Sequence, residues 1–582
     1  MDDINLLQWQ EFGSELEYIK KVIASTLERL EQESVITRIW DRDHSVWNPE
    51  PTEISNRLGW LDLAENMPGH VERIMSFTQD VFVSGYTQGL LLGMGGSSLA
   101  PELFGKTFDG KQGALQLDVL DSTDPAAVLA WVEKLDPEHT LFIVSSKSGS
   151  TVETLSLFKY FYNWLATTVG IEQAGSHFVA ITDPGSPLIE IADKHNFRST
   201  FVNDPNIGGR YSALSYFGLV PAALVGVDLP RLLKRAAQMG QDCSSEVTLI
   251  DNPAAQLGTA IGVMAEMGRD KVTLVTSQQI ASFGDWVEQL IAESTGKSGT
   301  GVLPVVREPI EPSGNFGHDR LFVVLQLADD PLIKTALETL KLVDQPTLLL
   351  RLKDRYDLGG QFFLWELAVA IAGYLLGIHP FNQPNVESAK ARAREMVSEF
   401  QKTNELPSEE PKINVSGIAL YGDVQGSDLE TALKGFLKQD LSGAPSAKSR
   451  QSYIALQAFI PPTQANTAAL QNLRLSLRDQ TGLATTLGYG PRYLHSTGQL
   501  QKGDSGQGLF IQITSGHPQD VAIPEEAGAL ASSLTFGTLI HAQALGEHEA
   551  LKQAGRRVLR IHLEESLPTG IDHLTKLTKN IR

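Results

Sequence analysis

LFIVSSKSGSTVETLS, residues 141–156, is an apolar run that empties into hydroxyls and one lysine before a helical pattern begins. Leu141 to Val144 reads as a buried strand, Ser145 to Thr151 as a tight loop, and Val152 onward as a helix with Glu153 in its first turn. The loop therefore gathers hydroxyls and amides at a helix N-terminus, where unpaired N–H groups and the positive end of the helix dipole favour an anion. Ser146, Lys147, Ser148, Ser150 and Thr151 add donors and a charge, and a phosphate is the natural guest. The alternative is a capping box between Ser150 and Glu153, S-x-x-E, with no ligand. A cap needs one hydroxyl, whereas residues 146–151 carry four and a lysine.

Outward from this joint the same pattern repeats. GLLLGMGG and ALQLDVLDS precede it, and SHFVAITDP and STFVNDP follow, each strand ending in a polar or glycine-rich turn. Strands alternating with helices predict an α/β fold, a parallel sheet with helices on both faces. Ligands of such sheets sit at the carboxyl ends of the strands, so these turns should converge on one crevice. Before the first strand, Leu16, Ile19, Ile23 and Leu27 recur at helical spacing, and residues 1–68 read as a helical arm or lid. The first sheet unit is expected over 69–240 and a second of similar plan over 241–405, with a polar linker, KTNELPSEEPK, after it. A third α/β unit is expected over 413–582, with strands in VSGIALYGD, SYIALQAFIPP, TGLATTLGYG and GLFIQITSG.

The 582 residues exceed one core, so several domains are expected. A formal net charge of -21 argues against broad nucleic-acid or anionic-membrane binding, so an anionic ligand needs a local basic pocket. The single cysteine, Cys243, excludes intramolecular disulfides and cysteine-based zinc clusters, and points to a reducing compartment. MDDINLLQWQEF has acids where an export signal needs a basic region, and a cytoplasmic location is expected. Phe362 to Ile378 is apolar enough to raise a membrane span, but Glu366 interrupts it and a buried core helix is the expectation. The thirteen histidines show no metal-ligand spacing, so no metal is predicted.

Five further blocks carry candidate chemistry. GMGGSSLAP, 93–101, lets backbone approach a ligand, with Gly96 and Ser97 or Ser98 at the turn; it departs from G-x-G-x-x-G because Ser98 stands where the last glycine belongs. Arg210 in NIGGRYSALS follows Gly208 and Gly209, a placement suited to a guanidinium on developing negative charge. Glu293 lies in AESTGKSG at the end of an apolar helix; Ile291 stands where a phosphate-binding P-loop needs glycine, so Lys297 is not a nucleotide-loop lysine. FNQPNVESAK holds Gln383 and Lys390, and His495 in YGPRYLHSTGQLQKG is a proton-transfer candidate in a polar turn. Taken singly, each also fits a bland reading: a serine cap, a surface ion pair, a solvated helix-end glutamate.

Together and in this order, GMGGSSLAP, SSKSGSTVET, GGRYS, AESTGKS and FNQPNVESAK resemble the glucose-6-phosphate isomerase family, also called phosphoglucose isomerase. The arm RIWDRDHSVWNPEPTEISNRLGW and the tail blocks GPRYLHSTGQLQKG and AGRRVLRIHL look closest to the isomerase half of bacterial transaldolase and isomerase fusion proteins, and no transaldolase activity is expected. The resemblance implies two sugar-isomerase domains plus the C-terminal α/β domain, and cofactor-free interconversion of glucose 6-phosphate and fructose 6-phosphate through a cis-enediol. It implies Glu293 as the base, Arg210 as the stabiliser of the enediolate, and a histidine, aided by Lys390, that opens the ring. Gly96, Ser97, Ser146, Lys147, Ser148, Thr151, Glu153, Gly209 and Gln383 would bind the sugar phosphate. One departure matters. The family's histidine usually lies between the glutamate and the lysine, where EPSGNFGHDRLF offers His318; LHSTGQ, after the lysine, instead resembles the histidine motif of small bacterial isomerases. His495 from the third unit is the choice and His318 the runner-up, and both a homodimer and a monomer stay open. A sugar-phosphate-binding regulator without a base, or an isomerase of a related phosphorylated or sulfonated sugar, are the alternatives.

Overall fold

The structure, a computed structural model, describes residues 7–10, 13, 15–108, 113–441, 452–564 and 566–579. The outer ends of the first and last expected units, 1–6 and 580–582, lie outside the described residues. Three sheets organise the chain. The first is wholly parallel, with the strands Gln116–Leu120, Gln88–Gly93, Thr140–Ser145, Phe178–Thr182 and Ser199–Val202 side by side in that order. Its central strand, TLFIVS, is buried throughout, which is why it reads as a continuous apolar run rather than an alternating one. Leu141 and Ile143 face one helical layer, Phe142 and Val144 the other.

The second sheet has four parallel strands, Thr347–Leu352, Arg320–Leu327, Lys271–Thr276 and Leu303–Val305, and an antiparallel edge, Leu7–Trp9. The short strands Leu7–Trp9 and Leu303–Val305 were not expected: three residues carry too little periodicity to read. One apolar core runs from the N-terminal arm through both sheets to Phe381. The arm helix Leu16–Gln32 buries Leu16, Ile19, Ile23, Leu27 and Leu30, and Trp47 donates from Nε1 to the Ala370 carbonyl at 2.9 Å. The arm is thus mainly a packing element, though Asn56 and Arg57 reach the site as a lid would. The apolar helix Leu358–Leu375 sits inside this core; Arg355–Leu375 is long and apolar enough to cross a membrane, and 89 % of its most apolar window is buried in the fold.

The third sheet is mixed, in the order Ile413–Val415, Ile418–Gly422, Arg557–Leu563, Gly508–Ser515, Tyr453–Phe459 and Ala484–Tyr489. Its last three strands in that order are parallel to Arg557–Leu563, and the first two form an antiparallel edge. The helix Phe536–Gln553, absent from the sequence expectation, spans this sheet and the first unit; it is buried on nearly every side and so lacks the polar stripe of a surface helix.

Candidate functional site

The carboxyl ends of the first sheet's strands open onto a cavity of about 860 Å³. Met94 to Ser97, Lys147, Ser148, Ser150 to Glu153, Asp183, Pro205, and Gly208 to Arg210 line it from the turns after four of the five strands. The turn after the fifth, Asp121–Asp124, faces the third unit instead: Arg492 donates to Asp121 Oδ2 at 2.8 Å and Thr123 to Gln543 at 2.7 Å.

The phosphate-loop candidate forms the expected helix N-terminus, Val152–Val169, but not the capping box. Thr151 is the cap residue and makes no side-chain cap bond, so the first helical bond is Leu155 N–H to the Thr151 carbonyl at 3.0 Å. The amides before it have no helical partner and suit an anion. Ser148, Ser150 and Thr151 line the cavity. Ser146 does not: it is buried, its Oγ accepting from Gly149 N–H at 3.1 Å and sitting 3.0 Å from Thr151 Oγ1, so it braces the loop from within. Lys147 lines the cavity with its ammonium bonded to Asp183 and, at 3.2 Å, to the Pro205 carbonyl. Burial pushes the Asp183 carboxyl up against the pull of that lysine.

Arg210 and Glu293 meet on the far wall. Arg210 is 2 % exposed, and its Nη1 donates to Glu293 Oε2 and to Gln383 Oε1, both at 3.1 Å. Nε bonds Ser294 Oγ at 2.8 Å, and Nη2 bonds the carbonyls of Pro380 at 2.5 Å and Asn382 at 3.2 Å. Glu293 lies in the last turn of the helix Ala281–Thr295, at the negative end of its dipole, so the buried guanidinium is the compensating charge. Close packing of two glycine turns sets the arginine: a Cβ on Gly96 would stand 2.2 Å from the Gly209 carbonyl oxygen and 3.0 Å from Arg210 N. Lys297, one helical turn beyond Glu293, is buried with its Nζ 2.5 Å from the Asn382 carbonyl; burial and the neighbouring Arg210 push it well below the ordinary lysine range.

The third unit completes the cavity. The short 3₁₀ segment Arg492–His495 places His495 Nε2 3.0 Å from Glu153 Oε1, and Gln289 donates to the His495 carbonyl at 2.9 Å. Glu153, expected among the residues that bind the sugar phosphate, lines the cavity with its carboxylate bonded to this histidine. Burial pushes its carboxyl up, but the charge and hydrogen bond of His495 outweigh this and hold it below the usual range. His318, the runner-up, is exposed, does not line the cavity, and uses its carbonyl to accept from Arg269 at 2.6 Å. His379 also lies between Glu293 and Lys390; its ring is held by the Thr52 carbonyl at 3.2 Å and by Phe381 N–H at 3.1 Å, outside the cavity lining. Lys390 lines the cavity from the helix Val386–Thr403, with its Nζ 3.3 Å from Glu387.

Sequence reading missed Lys297, Gln289, Gln543, Asp183 and the arm residues Asn56 and Arg57. Only Lys297 had a local signal, a lysine in the glycine-flanked turn just after the carboxylate's helix.

A sequence model described as phosphoglucose isomerase matches residues 64–305, the span from the end of the arm through Glu293. Over that span the chain is similar to the phosphoglucose isomerase family. The glucose-6-phosphate isomerase of Mycoplasmopsis pulmonis is 27 % identical over 381 residues, 57 % of this chain and 88 % of that protein. That of Streptococcus pyogenes serotype M1 is 28 % identical over 389 residues, 58 % of this chain and 86 % of its own. Among solved structures, a glucose-6-phosphate isomerase from Chlamydia trachomatis superposes with a TM-score of 0.57 at 17 % identity, over 70 % of this chain and 90 % of that one. A hypothetical protein of Thermus thermophilus gives 0.58 at 24 %, over 67 % and 99 %. These two likenesses show a shared fold, and each leaves about a third of this chain unmatched.

Proposed function

We propose that the chain interconverts glucose 6-phosphate and fructose 6-phosphate. The observation that carries this reading is the buried Arg210–Glu293 pair, 3.1 Å apart, in one cavity with a hydroxyl-rich helix N-terminus and the His495–Glu153 pair. The task is to open a sugar ring and then move a proton between adjacent carbons of low acidity. The amides at the start of the helix Val152–Val169, with Ser148, Thr151 and Ser97, seat the phosphate, and Lys147 and Gly96 shape that seat. Binding energy from this remote group positions the sugar against Glu293.

His495 is the proton shuttle between ring oxygen and anomeric hydroxyl, held in place by Glu153, with Lys390 at the mouth of the cavity. Glu293 takes the proton from C2 and returns it to C1, the work of a positioned carboxylate and worth roughly two to four orders of magnitude. Negative charge then develops on the enediol oxygens, and Arg210, already desolvated and held by five oxygens, meets it without reorganisation. Gln383 shares the same Nη1 and keeps the fork aimed as charge leaves Glu293. A regulator that only binds sugar phosphate has no use for a buried base and guanidinium beside the anion seat.

The test is a coupled assay of glucose 6-phosphate isomerisation with EDTA present, on wild type and Glu293→Gln. The expected result is turnover by wild type and a loss of about 10² to 10⁴ in kcat for the variant, with 6-phosphogluconate still bound. Retained activity in Glu293→Gln assigns the base elsewhere, and an inactive wild type that binds the sugar phosphate sinks the isomerase reading.

A further inference from the structure

Glu153 carries a second hydrogen bond that the chemistry above leaves unused. Gln543, 3 % exposed in the helix Phe536–Gln553, donates from Nε2 to Glu153 Oε1 at 2.8 Å, the same oxygen that meets His495 Nε2 at 3.0 Å. Its own Oε1 accepts from Thr123 Oγ1 at 2.7 Å. This fixes the amide's orientation, because the opposite flip would set its carbonyl oxygen against a carboxylate. Thr123 is fully buried in the turn Asp121–Asp124, which Arg492 and His517 also grip, at 2.8 Å from Asp121 and 3.8 Å from Asp124. Among the described residues, His495 and Gln543 are the two side chains bonded to the Glu153 carboxylate.

We infer that Gln543, locked by Thr123, is a positioning residue that keeps Glu153 ionised and turned to His495, so that the histidine holds a proton on Nε2 and exchanges protons through Nδ1. The inference rests on the isomerase reading of the site. A carboxylate that accepts only from a histidine can rotate away when the histidine gives up its proton. One that also accepts from a fixed amide cannot. The charged groups facing the pair are Lys390 from the helix Val386–Thr403, Glu293 and Arg210 across the cavity, and Arg492 one turn before His495 with its partners Glu102 and Asp121. None of these replaces the amide as a donor to Glu153.

The sign follows from linkage. The amide bond stabilises the deprotonated carboxylate, so its removal lets the coupled Glu153–His495 pair take up a proton at higher pH. Gln543→Leu should move the acid limb of the kcat/KM profile up by about one pH unit and lower kcat about tenfold, with KM changed less than twofold. Thr123→Val, which frees the amide, should shift the limb in the same direction by less, and Thr123→Ser, which restores the hydroxyl, should bring it back. A Gln543→Leu enzyme with the wild-type limb and kcat overturns the inference, as does a Thr123→Ser variant as impaired as Thr123→Val. If Gln543→Leu does not fold, the Thr123 pair decides alone. An active wild type with unshifted variants sinks only this inference, whereas a wild type without isomerase turnover sinks the site reading first.

Discussion

Substituting alanine for Gly96 puts a methyl group 2.2 Å from the Gly209 carbonyl oxygen and 2.4 Å from its carbon, about 1.2 Å inside ordinary contact. Both clashing atoms are backbone, so no side chain can swing aside. Relief requires the turn Gly95–Ser97 and the turn Gly209–Tyr211 to part by roughly 1 Å. Overpacking of this kind costs about 1 to 3 kcal/mol. The larger effect falls on Arg210, whose backbone nitrogen lies 3.0 Å from the same methyl and whose guanidinium is pinned to Glu293 and Gln383. A displacement near 1 Å in a positioned group costs about 10² in rate. Gly209→Ala is the control, since a Cβ there meets nothing within 4 Å. Thermal unfolding and kcat should therefore separate the pair: Gly96→Ala loses both stability and about 10² in kcat, while Gly209→Ala keeps its unfolding temperature. A Gly96→Ala enzyme within twofold of wild type in kcat would refute the claim that back-to-back glycine turns set the arginine.

Two further expectations follow from where the histidines lie. His495→Asn should lower kcat/KM for glucose 6-phosphate by about 10² to 10⁴, whereas His318→Ala, altering an exposed side chain, should stay within twofold; the reverse pattern in the coupled assay would return the ring-opening role to His318. His548 is 2 % exposed with neither ring nitrogen hydrogen-bonded, and burial, then Arg560, push it down to about 4. The unfolded chain takes up a proton below pH 6.5 that the fold refuses, so stability falls by about 3 kcal/mol as pH drops from 6.5 to 4. His548→Leu should flatten that fall in denaturant titrations, and an unchanged slope would mean that this ring is charged in the fold.

What could be read from sequence was whatever local chemistry announces. The Leu141–Ser156 joint, the glycine turns and the apolar strands carry their own periodicity and capping signals, whereas Arg210, Glu293 and Gln383 gain their roles only from the family resemblance of their blocks. What could not be read depends on distant chain. Gln543 sits in a helix buried on most faces, with no stripe to reveal it, and Gln289 gains meaning only from the His495 carbonyl. Ser146 looked like a ligand because its type fits, yet the loop's own geometry consumes its hydroxyl. Glu153 stands among the sugar-phosphate residues only through the family resemblance; the histidine that bonds it comes from 342 residues away.

That separation bears on how the molecule matures and fails. The anion seat and the Arg210–Glu293 pair are complete once the first two sheets have closed on their shared core, but the last proton-handling group arrives with a unit that docks through the glycine at 95, whose absent side chain leaves room for the His495 carbonyl. The cores of both sheets continue into that unit, through Phe536 and Leu539 against the first and Tyr453 and Phe510 against the second, so heating that loosens it opens buried apolar surface together with the site.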